Sequence, residues 1–123
     1  MSKNPKIAAV EQYIKAICDH DLDAIESLYA DNAVVEDPYG SEPRVGKAAI
    51  RKFYETGFSS GISARLDGAI RLAGDCAVFP FIVELNPGNG EMRIEVIDKF
   101  QFDEAGKITA MTAFWGPENT RTP

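Results

Sequence analysis

Metal and nucleophile chemistry has little material in this chain. Its 123 residues hold one histidine, His20, and two cysteines, Cys18 and Cys76, with no CxxC spacing. A zinc site draws on several closely spaced thiolate or imidazole ligands, so no metal is expected. A Ser/His/Asp or Cys/His arrangement has no suitable base, because His20 falls in the acidic junction Asp19-His20-Asp21 and is expected in solvent. No glycine-rich phosphate loop is present; Gly57 and Gly61 read as a helix stop and a turn. Positive charge is short as well, with 13 Lys and Arg against 19 Asp and Glu and a net charge of −6. That field has the wrong sign for nucleic acid or for an anionic membrane surface. No apolar run approaches membrane-spanning length, and Met1-Ser2-Lys3-Asn4-Pro5-Lys6 runs into a helical pattern without the apolar core of a secretory leader. The expectation is a cytoplasmic protein with both thiols reduced.

What is present is a globular composition, 45% hydrophobic and 10% aromatic, in a length that suits one domain over residues 1–123. Asn4 and Pro5 suit an N-cap and first helical position, and Ile7, Val10, Ile14 and Ile17 repeat at three and four residues. A second short helix follows over 21–29, with acids in its first turn. Residues 33–37 read as a strand halted by Pro38, 39–43 as a loop, and 46–56 as a third helix with Ala49, Ile50, Phe53 and Tyr54 on one stripe. Four strand-like segments then run over 62–72, 76–85, 91–102 and 107–116, separated by Gly74-Asp75, by Asn86-Pro87-Gly88-Asn89-Gly90 and by Asp103-Glu104-Ala105-Gly106. Helices gathered first and strands last indicate an α+β fold, with three N-terminal helices packed on one face of a curved sheet.

One strand carries a misplaced charge. In residues 93–102, Ile94, Val96, Asp98, Phe100 and Phe102 share one face, while Glu95, Ile97, Lys99 and Gln101 share the other. An unpartnered carboxylate on the apolar face would take up a proton and become a hydrogen-bond donor, a tool for stabilising an oxyanion. The same pattern fits an aspartate paired with a buried arginine or with backbone amides, or one at the mouth of the barrel. Asp37 is the second unusual acid, sharing a strand face with Val35 and Ala33 ahead of Pro38; an Asx-Pro turn opener is the plainer account of it. Two carboxyl groups in different environments, one ionised and one protonated, are what acid/base chemistry at neutral pH needs. Tyr13, Tyr29 and Tyr54, each from a different helix, are placed to converge on one cavity, although ordinary core packing explains any one of them.

Val35-Glu36-Asp37-Pro38-Tyr39-Gly40-Ser41-Glu42-Pro43, the Tyr13 helix, Val96-Ile97-Asp98 and Phe114-Trp115 together resemble the ketosteroid isomerases, the steroid Δ5-isomerases of the nuclear-transport-factor-2-like superfamily. The resemblance spans almost the whole chain. It implies a cone-shaped, curved antiparallel or mixed sheet enclosing an apolar pocket, a homodimer, no cofactor and a small steroid substrate. It also implies that Asp37 is the general base, that Tyr13 and a protonated Asp98 form the oxyanion hole, and that Tyr29 and Tyr54 extend the hydrogen-bond network. Phe53, Phe79, Phe81, Phe100, Phe114 and Trp115 are the implied apolar wall. Its least familiar segments, 57–75 and 86–90, bear on steroid preference. The same superfamily leaves two other readings open, a polyketide cyclase or dehydratase and a non-catalytic carrier of steroids or other hydrophobes.

Overall fold

The computed structural model describes residues 4–122; residues 1–3, part of the stretch read for a leader, and residue 123 lie outside the described residues. Helix α1 (Pro5–Asp19) is capped by the Asn4 side chain, which accepts from the Lys6 N–H at 2.8 Å. Its buried face is Val10, Tyr13, Ala16 and Ile17, so the helix is rotated to press Tyr13 inward. His20 ends it in a left-handed conformation at φ 53°. Its ring is not simply solvated, since it stacks on Phe58 at 5.0 Å and a ring nitrogen lies 2.8 Å from the Ile62 carbonyl. Asp21 caps α2 (Leu22–Leu28) through the Ala24 N–H.

Tyr29 caps the C-terminus of that helix, its N–H donating to the Glu26 carbonyl, and at once opens β1 (Tyr29–Glu36), which starts earlier than the pattern suggested. The loop after β1 leads into the two-residue strand β2 (Arg44–Val45) and then α3 (Lys47–Phe58), whose cap is Gly46 at φ 89°, a conformation that disfavours any residue with a Cβ. The strands β3 (Ser63–Leu66), β4 (Arg71–Ala73), β5 (Cys76–Leu85), β6 (Met92–Phe102), β7 (Ile108–Phe114) and β8 (Thr120–Arg121) complete one eight-stranded sheet. Its order is β2-β1-β7-β6-β5-β3, with β4 also on β5 and β8 on β6. β5, β6 and β7 form an antiparallel meander, while β1 joins β7 in parallel, which makes the sheet mixed.

The expected single strand over 62–72 is two strands, and Pro80 in the middle of β5 is the reason. A residue in a strand points its N–H and C=O to the same side. The Pro80 carbonyl accepts from the Asp67 N–H at 2.9 Å, so its missing N–H faces that same edge and the ladder breaks there. The chain bends away at Gly68, where a Cβ would come within 3.1 Å of the Pro80 ring. No helix among the described residues is long and apolar enough to cross a membrane. Cys18 and Cys76 are free thiols.

Candidate active site

Both neighbours of β1 fix the approach to Asp37. Val35 pairs with Arg44 of β2 on one side and with Met111 of β7 on the other. Beyond the strand, Tyr39 N–H donates to the Ala113 carbonyl at 2.7 Å, and Gly40 N–H donates to the Glu36 carboxylate at 2.6 Å. The Ser41 hydroxyl donates to the Pro38 carbonyl at 2.7 Å. The Asp37–Pro38 peptide is cis. Inside this tied loop, the Trp115 indole N–H donates to Asp37 Oδ1 at 2.7 Å. Burial pushes the Asp37 carboxyl above its ordinary value; the indole bond and the charge of Arg44 pull it back. The result is a half-buried carboxyl group more basic than an exposed aspartate.

The three tyrosines do converge. Tyr54 Oη lies 2.8 Å from Tyr13 Oη and 2.6 Å from Tyr29 Oη, and all three rings are buried. Each hydroxyl has one proton, so a chain in which Tyr29 donates to Tyr54 and Tyr54 to Tyr13 leaves the Tyr13 proton free for a third acceptor. Burial raises all three phenols well above their ordinary value, so they stay protonated donors. Tyr54→Phe removes the phenol partner of two buried hydroxyls, whereas Tyr29→Phe leaves Tyr54 still bonded to Tyr13. Urea melts are therefore expected to show Tyr54→Phe as the more destabilised, within the ~1–3 kcal/mol per unsatisfied group typical of such losses; the reverse order would mean that the relay relaxes freely.

Asp98 faces inward on β6, as the alternation indicated, with 1% of its surface exposed. Across the ladder it meets Phe79 and Ala113, both fully buried. Neither carboxyl oxygen makes a hydrogen bond among the described residues, and no ion pair reaches it. Burial, then the nearby charge of Asp37, pushes its carboxyl well above the carboxylate range, with Tyr13 pulling weakly the other way. A buried acid whose carboxyl is pushed toward the protonated form, and which has no ion pair among the described residues, therefore stands near Tyr13 at the free end of a phenol relay.

A cavity of about 590 Å³ opens in front of these groups. Tyr13, Asp37 and Tyr54 are on its wall together with Phe53, Phe81 and Trp115. Asp98 is buried and is not one of the lining residues. The other expected aromatics lie elsewhere. Phe100 and Phe79 are fully buried and pack edge-on to the Tyr13 ring at 4.9 Å and 6.3 Å, so they brace the phenol from behind. Phe114 points outward, 45% exposed, and stacks on Tyr39 at 5.6 Å. It ends β7 on the side away from the cavity, while Trp115, just past the strand, lines it. Sequence reasoning missed Arg44, Lys52 and Thr56, which also border the cavity. Thr56 and Lys52 repeat with Ala49 and Phe53 at helical spacing, which was a usable signal; Arg44 offered none. Among the described residues no group of three or more His, Cys, Asp or Glu could hold a metal ion.

The SnoaL-like domain family matches residues 10–111. A curated steroid Delta-isomerase of Nocardioides simplex is 39% identical over 110 residues, 89% of each chain. Among solved structures, the epoxide hydrolase/cyclase-like enzyme SalBIII, described for pyran ring formation in the polyether salinomycin, superposes with a TM-score of 0.89 at 25% identity, over 96% of this chain and 95% of that one. RV0760c from Mycobacterium tuberculosis gives the same TM-score at 19% identity, over 100% and 99% of the two chains, and speaks for the fold alone. A family match across most of the chain, joined to this level of identity with a curated isomerase, makes the chain an isomerase-class enzyme of the SnoaL-like, nuclear-transport-factor-2-like family.

Proposed function

We propose that this enzyme moves the double bond of a 3-oxo-Δ5-steroid into conjugation. Asp37, as carboxylate, removes a proton from the carbon between the ketone and the isolated alkene, leaving a dienolate, and returns the same proton two carbons further along. One base serves both steps, with no net consumption of protons or electrons and no cofactor. The oxygen charge that develops is held by the Tyr13 hydroxyl and the protonated Asp98 carboxyl, in a cavity whose apolar wall excludes water.

The observation that carries this reading is Asp98. A carboxyl group 1% exposed, with no ion pair among the described residues and with Tyr13 as the one polar group acting on it besides Asp37, opposes stability and has no structural cation to explain it. A carrier of hydrophobes would have no use for it. The cyclase reading draws on the fold shared with SalBIII, but 39% identity to a steroid Delta-isomerase outweighs 25% to the cyclase-like enzyme. The test is to mix the enzyme with a 3-oxo-Δ5-steroid and follow the conjugated enone by ultraviolet absorbance; no acceleration over buffer would remove the proposal. Within it, Tyr54→Phe and Tyr29→Phe orient a donor rather than supply one, so each is expected to lose less kcat than Tyr13→Phe. Equal losses for all three would displace Tyr13 from contact with the substrate oxygen.

We also place the working enzyme in the cytoplasm as a homodimer. Ile97 of β6 pairs with Phe114 of β7, both 45% exposed, and Tyr39 stacks on Phe114, so the outer sheet face carries a continuous apolar patch. A second copy covering that patch is expected, and sedimentation giving a monomer at micromolar concentration would count against it.

A further inference from the structure

We propose that Arg44 is a positioning residue for the reaction: its guanidinium, held between the Phe53 ring and the main-chain carbonyl of Asp37, pins the loop that carries the base and keeps a positive charge beside it. The inference rests on Asp37 being that base.

Strand β2 is only two residues long, and its pairing of Arg44 with Val35 sets the arginine opposite a point two residues before Asp37. From there the side chain reaches over the Phe53 ring, 4.5 Å from its centre, a cation–π contact that fixes the plane of the guanidinium. Nη1 then lies 3.5 Å from the Asp37 carbonyl and 3.4 Å from the Glu42 carbonyl, bridging the start and the end of the loop. Helix α3, the base loop and β2 are thereby joined through one side chain that also borders the cavity.

The charge of Arg44 is not spent on a surface acid. Arg51 pairs with Asp23 and Glu26, Arg65 with Glu84 and Arg121 with Glu95, whereas Arg44 makes no ion pair among the described residues. The groups set around Asp37 are the Trp115 N–H, the neutral phenols of Tyr13 and Tyr29, the protonated Asp98 carboxyl and Arg44; the adjacent Glu36 carboxylate is engaged by Gly40 N–H. Lys52 of α3 also borders the cavity, but Arg44 is the cation whose charge acts on Asp37. Burial drives Asp37 toward the protonated form, in which it cannot accept a proton, and the fixed positive charge opposes this. A guanidinium keeps its charge across the whole working range, so it offers this support at any pH the enzyme meets.

The test uses the full chain with Arg44→Met and Arg44→Lys, and reads two quantities. The first is the titration of the Asp37 carboxyl carbon by 13C NMR, assigned with Asp37→Asn; the second is the pH profile of kcat/KM with a 3-oxo-Δ5-steroid. Arg44→Met is expected to move the titration and the acid limb together to higher pH, with kcat/KM down roughly tenfold below the limb and within about threefold above it. Arg44→Lys retains the charge without the fork, so its titration should stay near wild type even where kcat falls. An unmoved Asp37 titration in Arg44→Met, or equal loss of activity at all pH values with a lowered Tm in both variants, would make Arg44 a loop brace only and overturn the proposal. A titration that moves in a protein with no isomerase activity leaves the hold of Arg44 on Asp37 standing and removes the steroid reading instead.

Discussion

Asp37→Asn is expected to lower kcat on the order of 10²–10⁴-fold, or further because no second carboxylate can substitute, while affinity for a product-like steroid stays near wild type. The substitution keeps the shape of the side chain and an oxygen that can accept from the Trp115 N–H, now 2.7 Å from the carboxylate. The loop around it is tied through other atoms, by Tyr39 to Ala113 and by Gly40 to Glu36, and the apolar cavity wall is untouched. What disappears is the proton acceptor. Burial already disfavours the charge at this position, so the neutral amide is expected to leave the melting temperature unchanged or slightly raised. Turnover within a few-fold of wild type would make Asp37 an ordinary turn residue before Pro38, and would end the mechanism proposed above.

How far the site could be read from the sequence depended on periodicity. On β6 the alternation was strict enough that Asp98 was legible as an inward acid, and the structure gives Ile94, Val96, Asp98, Phe100 and Phe102 as the buried set. The helices were legible from their caps and stripes, and Tyr13 lies on the buried face of α1 with Val10 and Ile17 as read, although Ile7 and Ile14 are only half-buried. Depth was not legible. A period of two tells which face a residue takes, but the inner face of a curled sheet covers both a cavity wall and a dry core, so Phe79 and Phe100 could not be told apart from Phe81. Phe114 was a different kind of miss, since it is the last residue of β7 and faces outward, while Trp115 just beyond the strand turns to the cavity. Arg44 was out of reach, because its role comes from two residues of pairing beside β1 and from a ring on α3, both of them long-range facts. The parallel junction of β1 with β7, which brings Trp115 to Asp37 across 78 positions of sequence, was equally invisible to local pattern.

Asp98→Leu is where catalysis and stability are expected to move in opposite directions. As a neutral donor to the dienolate oxygen, Asp98 supplies one oxyanion contact, and its loss should lower kcat on the order of 10²–10³-fold, whereas Asp98→Asn keeps an N–H and should lose much less. Stability follows from the direction of its titration. The folded carboxyl holds its proton well above the value of about 3.9 at which the unfolded chain releases it. The wild-type fold is thus unpenalised below that lower value, and as pH rises the unfolded state sheds a proton that the folded state retains. Stability then falls by about 1.4 kcal/mol per pH unit until the folded group ionises in turn. Leucine has no such slope. Urea melts at about pH 4 and pH 7 should therefore show Asp98→Leu gaining on wild type as pH rises, since replacing a buried polar group by an apolar one of like volume is often neutral or stabilising. An ionised Asp98 serving a structural cation would give the reverse, a loss of roughly 3–5 kcal/mol from the stranded partner, yet no cation reaches it among the described residues. A strongly destabilised Asp98→Leu protein with near-normal turnover per folded molecule would remove Asp98 from the oxyanion hole, and would leave its burial as packing alone.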